Sequence, residues 1–172
     1  MDIQKDLPHT PKEIIDAWLE PVARRDDFGW PPTEYNAWHY ELGDNPSLAY
    51  LASLRWTKQE MALSPDMIIK HDMDRVRDLF QAHVVGVSFS PSISKPEYHD
   101  QFREHIDHLS AHGAFIHPVI LEEVDAGLHI LDGYYRFCAY FYLGGYLQVE
   151  NTEIRSAKVD RQQQVWLGKQ AS

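Results

Sequence analysis

Ile130-Leu131-Asp132-Gly133-Tyr134-Tyr135-Arg136-Phe137 is the stretch on which the fold turns. An apolar run ends in an acidic residue, a glycine permits a tight turn, and a helix begins at once with an arginine in its first turn. The helix then carries Phe137, Cys138, Ala139, Tyr140, Phe141, Tyr142 and Leu143 to Gly144-Gly145. It is apolar nearly all round, which calls for a central, buried position. Upstream, Pro118-Val119-Ile120-Leu121 and Leu128-His129-Ile130-Leu131 read as two short strands joined by a turn at Asp125-Ala126-Gly127. Before them, Tyr98, Phe102, Ile106 and Leu109 step by 4, 4 and 3, an amphipathic helix opening near Ser94-Lys95-Pro96 and ending at Gly113.

Farther out, Val84 to Phe89 reads as a strand, and another is expected within 146–160, centred on Ile154 to Val159. The N-terminal half reads as helical. Thr10-Pro11-Lys12-Glu13 resembles a capped helix start, with Ile14, Ile15, Trp18 and Leu19 on one face and Pro21 ending or kinking the helix. Asp26 to Pro32 reads as loop. A shorter helix opens at Asn45-Pro46 and carries Leu48, Leu51 and Leu54, and a third runs from Ser64-Pro65 to Phe80. The expectation is a mixed α/β fold: a helical extension over residues 1–82 and a compact domain over 83–172.

Composition bounds the function. The chain has 172 residues, 44% hydrophobic and 24% charged, with a formal net charge of −10. Basic and acidic residues number 9 and 15 up to residue 82, and 7 and 11 after it, so neither half is basic. Non-specific nucleic-acid binding needs cations that displace counterions, so nucleic acid is not an expected partner. No polybasic run points to a membrane surface, and no stretch approaches the roughly 20 apolar residues of a membrane span. MDIQKDLPHT has no apolar signal core, which makes the cytoplasm the expected compartment. The single Cys138 excludes an intrachain disulfide.

The Asp132-to-Arg136 turn has the make-up of an anion site. A helix N-terminus offers unpaired N–H groups and the positive end of the macrodipole, glycine lets a ligand approach, and arginine adds a two-pronged donor. The same residues also suit a plain structural role, with Asp132 capping the helix and Arg136 pairing with it. Glu122 or Glu123 could supply a general base, or both could be solvated edge residues. His117 could face the same pocket or sit in the loop. His105, His108 and His112 line one side of a helix, near Glu104 and Asp107, in a spacing that suits either a zinc ligand set or a solvated edge. Trp30, Tyr35, Trp38 and Tyr40 could stack on a base or pack the extension onto the domain.

Taken in order, Leu109 to Leu121 followed by Leu128 to Gly144 resembles the ParB/sulfiredoxin superfamily, over about residues 83–160. Its pattern is a helix ending in glycine, a Pro-Ile-Val-type strand, a second strand, then Asp-Gly-x-x-Arg opening a helix with small residues, here Asp132-Gly133-Tyr134-Tyr135-Arg136 with Ala139 in the small position. The resemblance implies a nucleotide-phosphate pocket. Gly133 and Arg136 would hold phosphates of ATP or CTP, Tyr134 and Tyr135 would wall the pocket, and Asp132 would orient the turn or position Mg2+. It implies a phosphotransferase acting on a small hydroxyl-bearing metabolite or a nucleotide hydrolase, with Asp132, Glu122 and His117 as catalytic candidates. The alternatives are a nucleotide- or anion-switched protein-binding module, and a ParB-like nuclease or DNA-associated protein; a homodimer is compatible with each. His71-Asp72 weakly resembles acidic and histidine elements upstream of the motif in kinase-like members. Sulfiredoxins place a catalytic cysteine where this chain has Tyr134, so sulfinate reduction is not expected, and Cys138 reads as a small core residue.

Overall fold

The computed structural model describes residues 1–43, 46–87, 95–149 and 157–171. Along the chain, α1 (Ile3–Asp6), α2 (Lys12–Ile14), α3 (Glu20–Ala23), α4 (His39–Leu42) and α5 (Leu48–Ser53) precede β1 (Leu54–Ala62). Then come α6 (Lys70–Phe80), α7 (Pro96–His112), β2 (Val119–Val124), β3 (Gly127–Asp132), α8 (Tyr134–Leu143) and β4 (Gln162–Gln170). The fold is mixed α/β, as expected.

The four strands form one sheet of order β1-β4-β2-β3. The β1/β4 and β2/β3 pairs are antiparallel and β2/β4 is parallel. Side chains alternate across a strand, so the sheet has two apolar faces and builds two cores. Val119, Leu121, Leu128, Ile130, Val165 and Leu167 pack against α6, α7 and α8. Ile120, Leu131 and Leu54 pack with Ile14, Trp18, Leu19 and Trp38 of the N-terminal helices. The sheet is thus a middle layer. Residues 1–82 contribute one of its strands, and Met73, Val76, Leu79 and Phe80 of α6 share a core with Phe137 and Phe141 of α8.

Several elements differ from their sequence reading. The first helix begins after Pro11, which holds the capping position without a side-chain cap, and Glu13 instead pairs with Lys58 at 2.8 Å. The helix runs on to Ala23 through a π-helical turn at Ile15–Leu19. Pro21 has no N–H to donate, and the widened turn absorbs that loss. Leu54 leaves the second helix and opens β1, while Ser47 caps α5 by accepting from the Tyr50 N–H at 3.1 Å. The third helix starts only at Lys70, behind a 3-10 turn at Pro65–Met67.

The expected strand at 84–89 is overturned for its described part. Gln81–Val85 continues α6 as a π-helical turn that stops at left-handed Gly86. Three valines have strand propensity, but Phe80 and Ala82 are drawn into the core on the helix that precedes them. Of the expected strand at Ile154 to Val159, residues 154–156 lie outside the described residues, and 157–160 are not strand. The final strand is β4.

β4 runs between β1 and β2, and Gly168 in it faces Trp56 of β1; a Cβ there would lie 2.8 Å from the indole ring. The buried Gln163 ties the strand to the end of α7. Its amide NH2 donates to the carbonyls of Gly113 and Asp160, both at 2.9 Å, and its oxygen accepts from the Phe115 N–H at 2.9 Å. Gln163→Leu keeps the volume but strips the Phe115 N–H of its acceptor. Leaving a buried polar group unpaired costs about 1–3 kcal/mol. Urea unfolding is expected to show stability reduced by that amount, read as a lower midpoint with an unchanged slope.

Candidate anion-binding cleft

β3 lies at the sheet margin, where unpaired N–H and C=O groups need partners. The approach to α6 supplies them: Ile69 N–H donates to the Leu128 carbonyl at 3.0 Å. One turn on, the fully buried Asp72 accepts from the Ile130 N–H at 2.7 Å. The same carboxylate accepts from the Tyr134 hydroxyl and meets His129 Nδ1, each at 2.7 Å. His129 Nε2 lies 3.2 Å from the Glu41 carbonyl oxygen.

This network titrates as a unit. Burial pushes Asp72 upward, but the His129 contact, the Tyr134 hydroxyl and the Ile130 N–H outweigh it and hold the carboxyl below its ordinary range. Burial would depress His129, yet Asp72, through its hydrogen bond and charge, raises it above the ordinary value.

Next to this network opens a cleft of about 690 Å³ between the N-terminal helices, α6, α7 and the start of α8. Asp132, Gly133, Tyr134, Tyr135 and Arg136 all line it. Gly133 is the turn that permits this. Its φ is +116°, and a Cβ would lie 2.7 Å from Val119 Cγ1, so a side chain is excluded by both conformation and space. Among the described residues no side chain caps α8, whose first-turn residues Tyr134, Tyr135 and Arg136 line the cleft.

Arg136 makes the pairing with Asp132 expected of the plain structural role. One guanidinium nitrogen donates to the carbonyls of His117 and Pro118, at 2.8 and 2.9 Å, and the other pairs with Asp132. Arg136 is buried and clamps the entry of β2 to the start of α8. Asp132 is its partner and not a helix cap.

The unengaged cation is Arg75, one turn beyond Asp72. Its guanidinium lies 4.2 Å above the Tyr134 ring and makes no hydrogen bond or ion pair among the described residues. Arg25 also lines the cleft and pairs with Glu41 at 3.3 Å. Burial raises the Glu41 carboxyl, against Arg25 and Arg75 nearby. The Trp18 indole N–H is buried and finds no acceptor in hydrogen-bond geometry among the described residues, though its dipole favours the Glu41 carboxylate. From α7, Tyr98, Gln101 and His105 complete the wall. Three arginines therefore meet two carboxylates in a cleft of a chain whose net charge is −10.

The other expected residues lie elsewhere. Glu122 is buried and accepts from the Tyr50 hydroxyl; burial raises its carboxyl, and it does not line the cleft. Its neighbour Glu123 pairs with Lys169 at 2.6 Å. His117 is exposed, and it is its carbonyl that reaches Arg136. Cys138 is buried in the core, which pushes its thiol upward. His105 lines the cleft while the His108 and His112 rings lie tilted to one another with centroids 4.5 Å apart, and among the described residues no three His, Cys, Asp or Glu side chains form a metal-ligand group. Trp30 and Trp38 pack edge to face within the N-terminal layer, whereas Tyr35 and Tyr40 are exposed. Arg25, Glu41, Arg75 and His105 were not singled out for this cleft by sequence. The available signal was the i, i+3 spacing of Asp72 and Arg75, and of Tyr98 and Gln101, each beside a core-facing row.

Comparison with protein-family models, curated proteins and solved structures found no match. Among the described residues, no helix is long and apolar enough to cross a membrane.

The Asp72–His129 pair predicts a pH signature. The depressed Asp72 contributes stability above its ordinary value of 3.8 and loses it as pH falls through the lower folded value. The raised His129 contributes fully below 6.5 and loses it as pH rises through the higher folded value. Denaturant unfolding of the wild type and the Asp72→Asn/His129→Gln double variant across pH 3–9 checks this. Their stability difference is expected to peak at mildly acidic pH and shrink on both sides.

Proposed function

We propose that this cleft binds a phosphate-bearing ligand, a nucleotide in the first instance, at the start of α8. The observation that carries the reading is Arg75, an unpaired guanidinium laid on Tyr134 beside an uncapped helix N-terminus. Charge-assisted donors at such a terminus favour phosphate over neutral ligands. Tyr98 and Tyr135, with ring centroids 6.0 Å apart and nearly parallel planes, offer aromatic surface for a base. The resemblance to ParB/sulfiredoxin proteins points to the same turn, with Gly133 as the close-approach residue and ATP or CTP as the first nucleotides to test. Arg75 takes the phosphate-gripping role first assigned to Arg136.

Asp132 and Glu41 are each engaged by an arginine. A Mg2+ ion brought by the nucleotide would be held chiefly through phosphate oxygens, as this ion commonly is. Phosphoryl transfer to a small hydroxyl-bearing metabolite, or nucleotide hydrolysis, is the enzymatic form of the reading, with Asp132 as the one catalytic candidate from sequence that lines the cleft. The placement of Glu122 and His117 away from it favours a second form, in which the bound nucleotide switches a protein contact without turnover.

Calorimetric titration of ATP, ADP, CTP and GTP with magnesium tests the reading. Arg75→Ala is expected to weaken binding at least tenfold, the loss of one charge-assisted contact worth about 1.5–3 kcal/mol, with thermal stability unchanged. Arg136→Ala is expected instead to lower the unfolding midpoint, because Asp132 and two carbonyls lose their donor. No heat from any nucleotide, or equal binding by Arg75→Ala, overturns the assignment.

A further inference from the structure

The cleft holds two histidine environments of opposite kind. His129 has a carboxylate partner, Asp72, that favours its protonated form. His105 has none. It stands on the cleft face of α7, seven residues after Tyr98, and makes no hydrogen bond or ion pair among the described residues. The charged group that bears most on it is Arg136 from α8, followed by His108 on its own helix and His117 from the loop before β2. Asp132, the carboxylate on that wall, is already taken by Arg136. Farther along the cleft stand Arg75, Arg25 and Glu41, the last two paired.

We propose that His105 is an anion contact of this cleft that binds only in its protonated form, so that entry of a phosphate-type ligand and uptake of one proton from solvent are a single linked event. The inference rests on the anion-binding reading above. In the empty cleft, burial first and the Arg136 charge second push His105 down to about 4, so at neutral pH the imidazole is neutral. A dianion seated between Arg75 and the start of α8 reverses the sign of the field at the ring. The protonated imidazole then presents two charge-assisted N–H donors, where the neutral ring has one uncharged donor and one lone pair that an anion disfavours. Linkage fixes the sign: the liganded form binds more protons, so affinity rises as pH falls, by at most about tenfold per pH unit for one proton.

Sulfate is the probe, because it stays a dianion throughout and contributes no titration of its own. Imidazole proton resonances of the full chain are followed from pH 3.5 to 8 with sulfate or with chloride at matched ionic strength; the His105 signal is the one lost in His105→Gln. The expected result is a His105 midpoint raised from about 4 in chloride to about 7 or above in sulfate, the shift that uptake of a proton near neutral pH requires. Sulfate affinity should increase severalfold from pH 7.5 to 6.5 in the wild type and stay flat in His105→Gln. Glu41→Gln controls for the other cleft group able to take up a proton, and it is expected to keep the pH dependence. A His105 midpoint unmoved by bound sulfate overturns the proposal and leaves the anion cleft standing, as does a pH dependence that survives in His105→Gln or vanishes in Glu41→Gln. If neither sulfate nor ATP shifts any resonance of the cleft, and Arg75→Ala behaves like the wild type, the anion-binding reading itself fails and takes the proposal with it.

Discussion

A buried carboxylate at the rim of the sheet organises this molecule. Asp72 sits where β3 would otherwise present an unpaired N–H, and it takes that donor, the Tyr134 hydroxyl and the His129 ring together. An ionised carboxylate out of water is costly unless its lone pairs are filled. Three donors from a strand backbone, the strand's side chain and the following helix fill them. Those donors belong to parts of the chain nearly sixty residues beyond Asp72, so satisfying one charge fixes α6 against β3 and α8 at once. Arg75, one turn along the same helix, is thereby placed over Tyr134.

The cleft follows from that placement. Gly133 lets α8 start immediately after β3, where a Cβ would strike Val119. Arg136 then anchors the new helix to the carbonyls of His117 and Pro118, which lie at the entry of β2. The Asp-Gly-x-x-Arg string therefore has a mechanical explanation for its first and last residues, which pair with each other. What it leaves to chemistry is the uncapped first turn between them. The two arginines thus differ in kind: Arg136 is buried and engaged, while Arg75 is exposed and makes no hydrogen bond or ion pair among the described residues.

The chain was most readable where local pattern and final environment agree. Tyr98, Phe102, Ile106 and Leu109 have helical spacing, and α7 buries Phe102, Ile106 and Leu109, while Tyr98 turns to the cleft. The β2–β3 hairpin and α8 were readable for the same reason. β1 and β4 were not. LRWTKQEMA is mostly polar because β1 is an outer strand, and QQQVWLGKQ shows only Val165, Trp166 and Leu167 as an apolar run. Their pairing joins segments more than a hundred residues apart, which no local window contains. Arg75 was hidden for a related reason. A lone arginine on a charged helix face reads as solvated, and only the tertiary position of Tyr134 brings it to the cleft wall.

Charge ties the whole chain to the cleft. At a net charge of −10, the surface repels a long polyanion such as DNA along its length. That field is screened within about 8 Å at physiological ionic strength, so it governs approach but not a ligand already inside a recess. Within the recess the balance is reversed, with three guanidinium groups against two carboxylates that are each already paired. A small anion that can enter the recess gains the local attraction and spans too little surface to suffer the global repulsion. A polymer cannot separate the two. In such an arrangement size is weighed together with charge: a compact anion meets the local balance of the recess, a long polyanion the field of the whole surface.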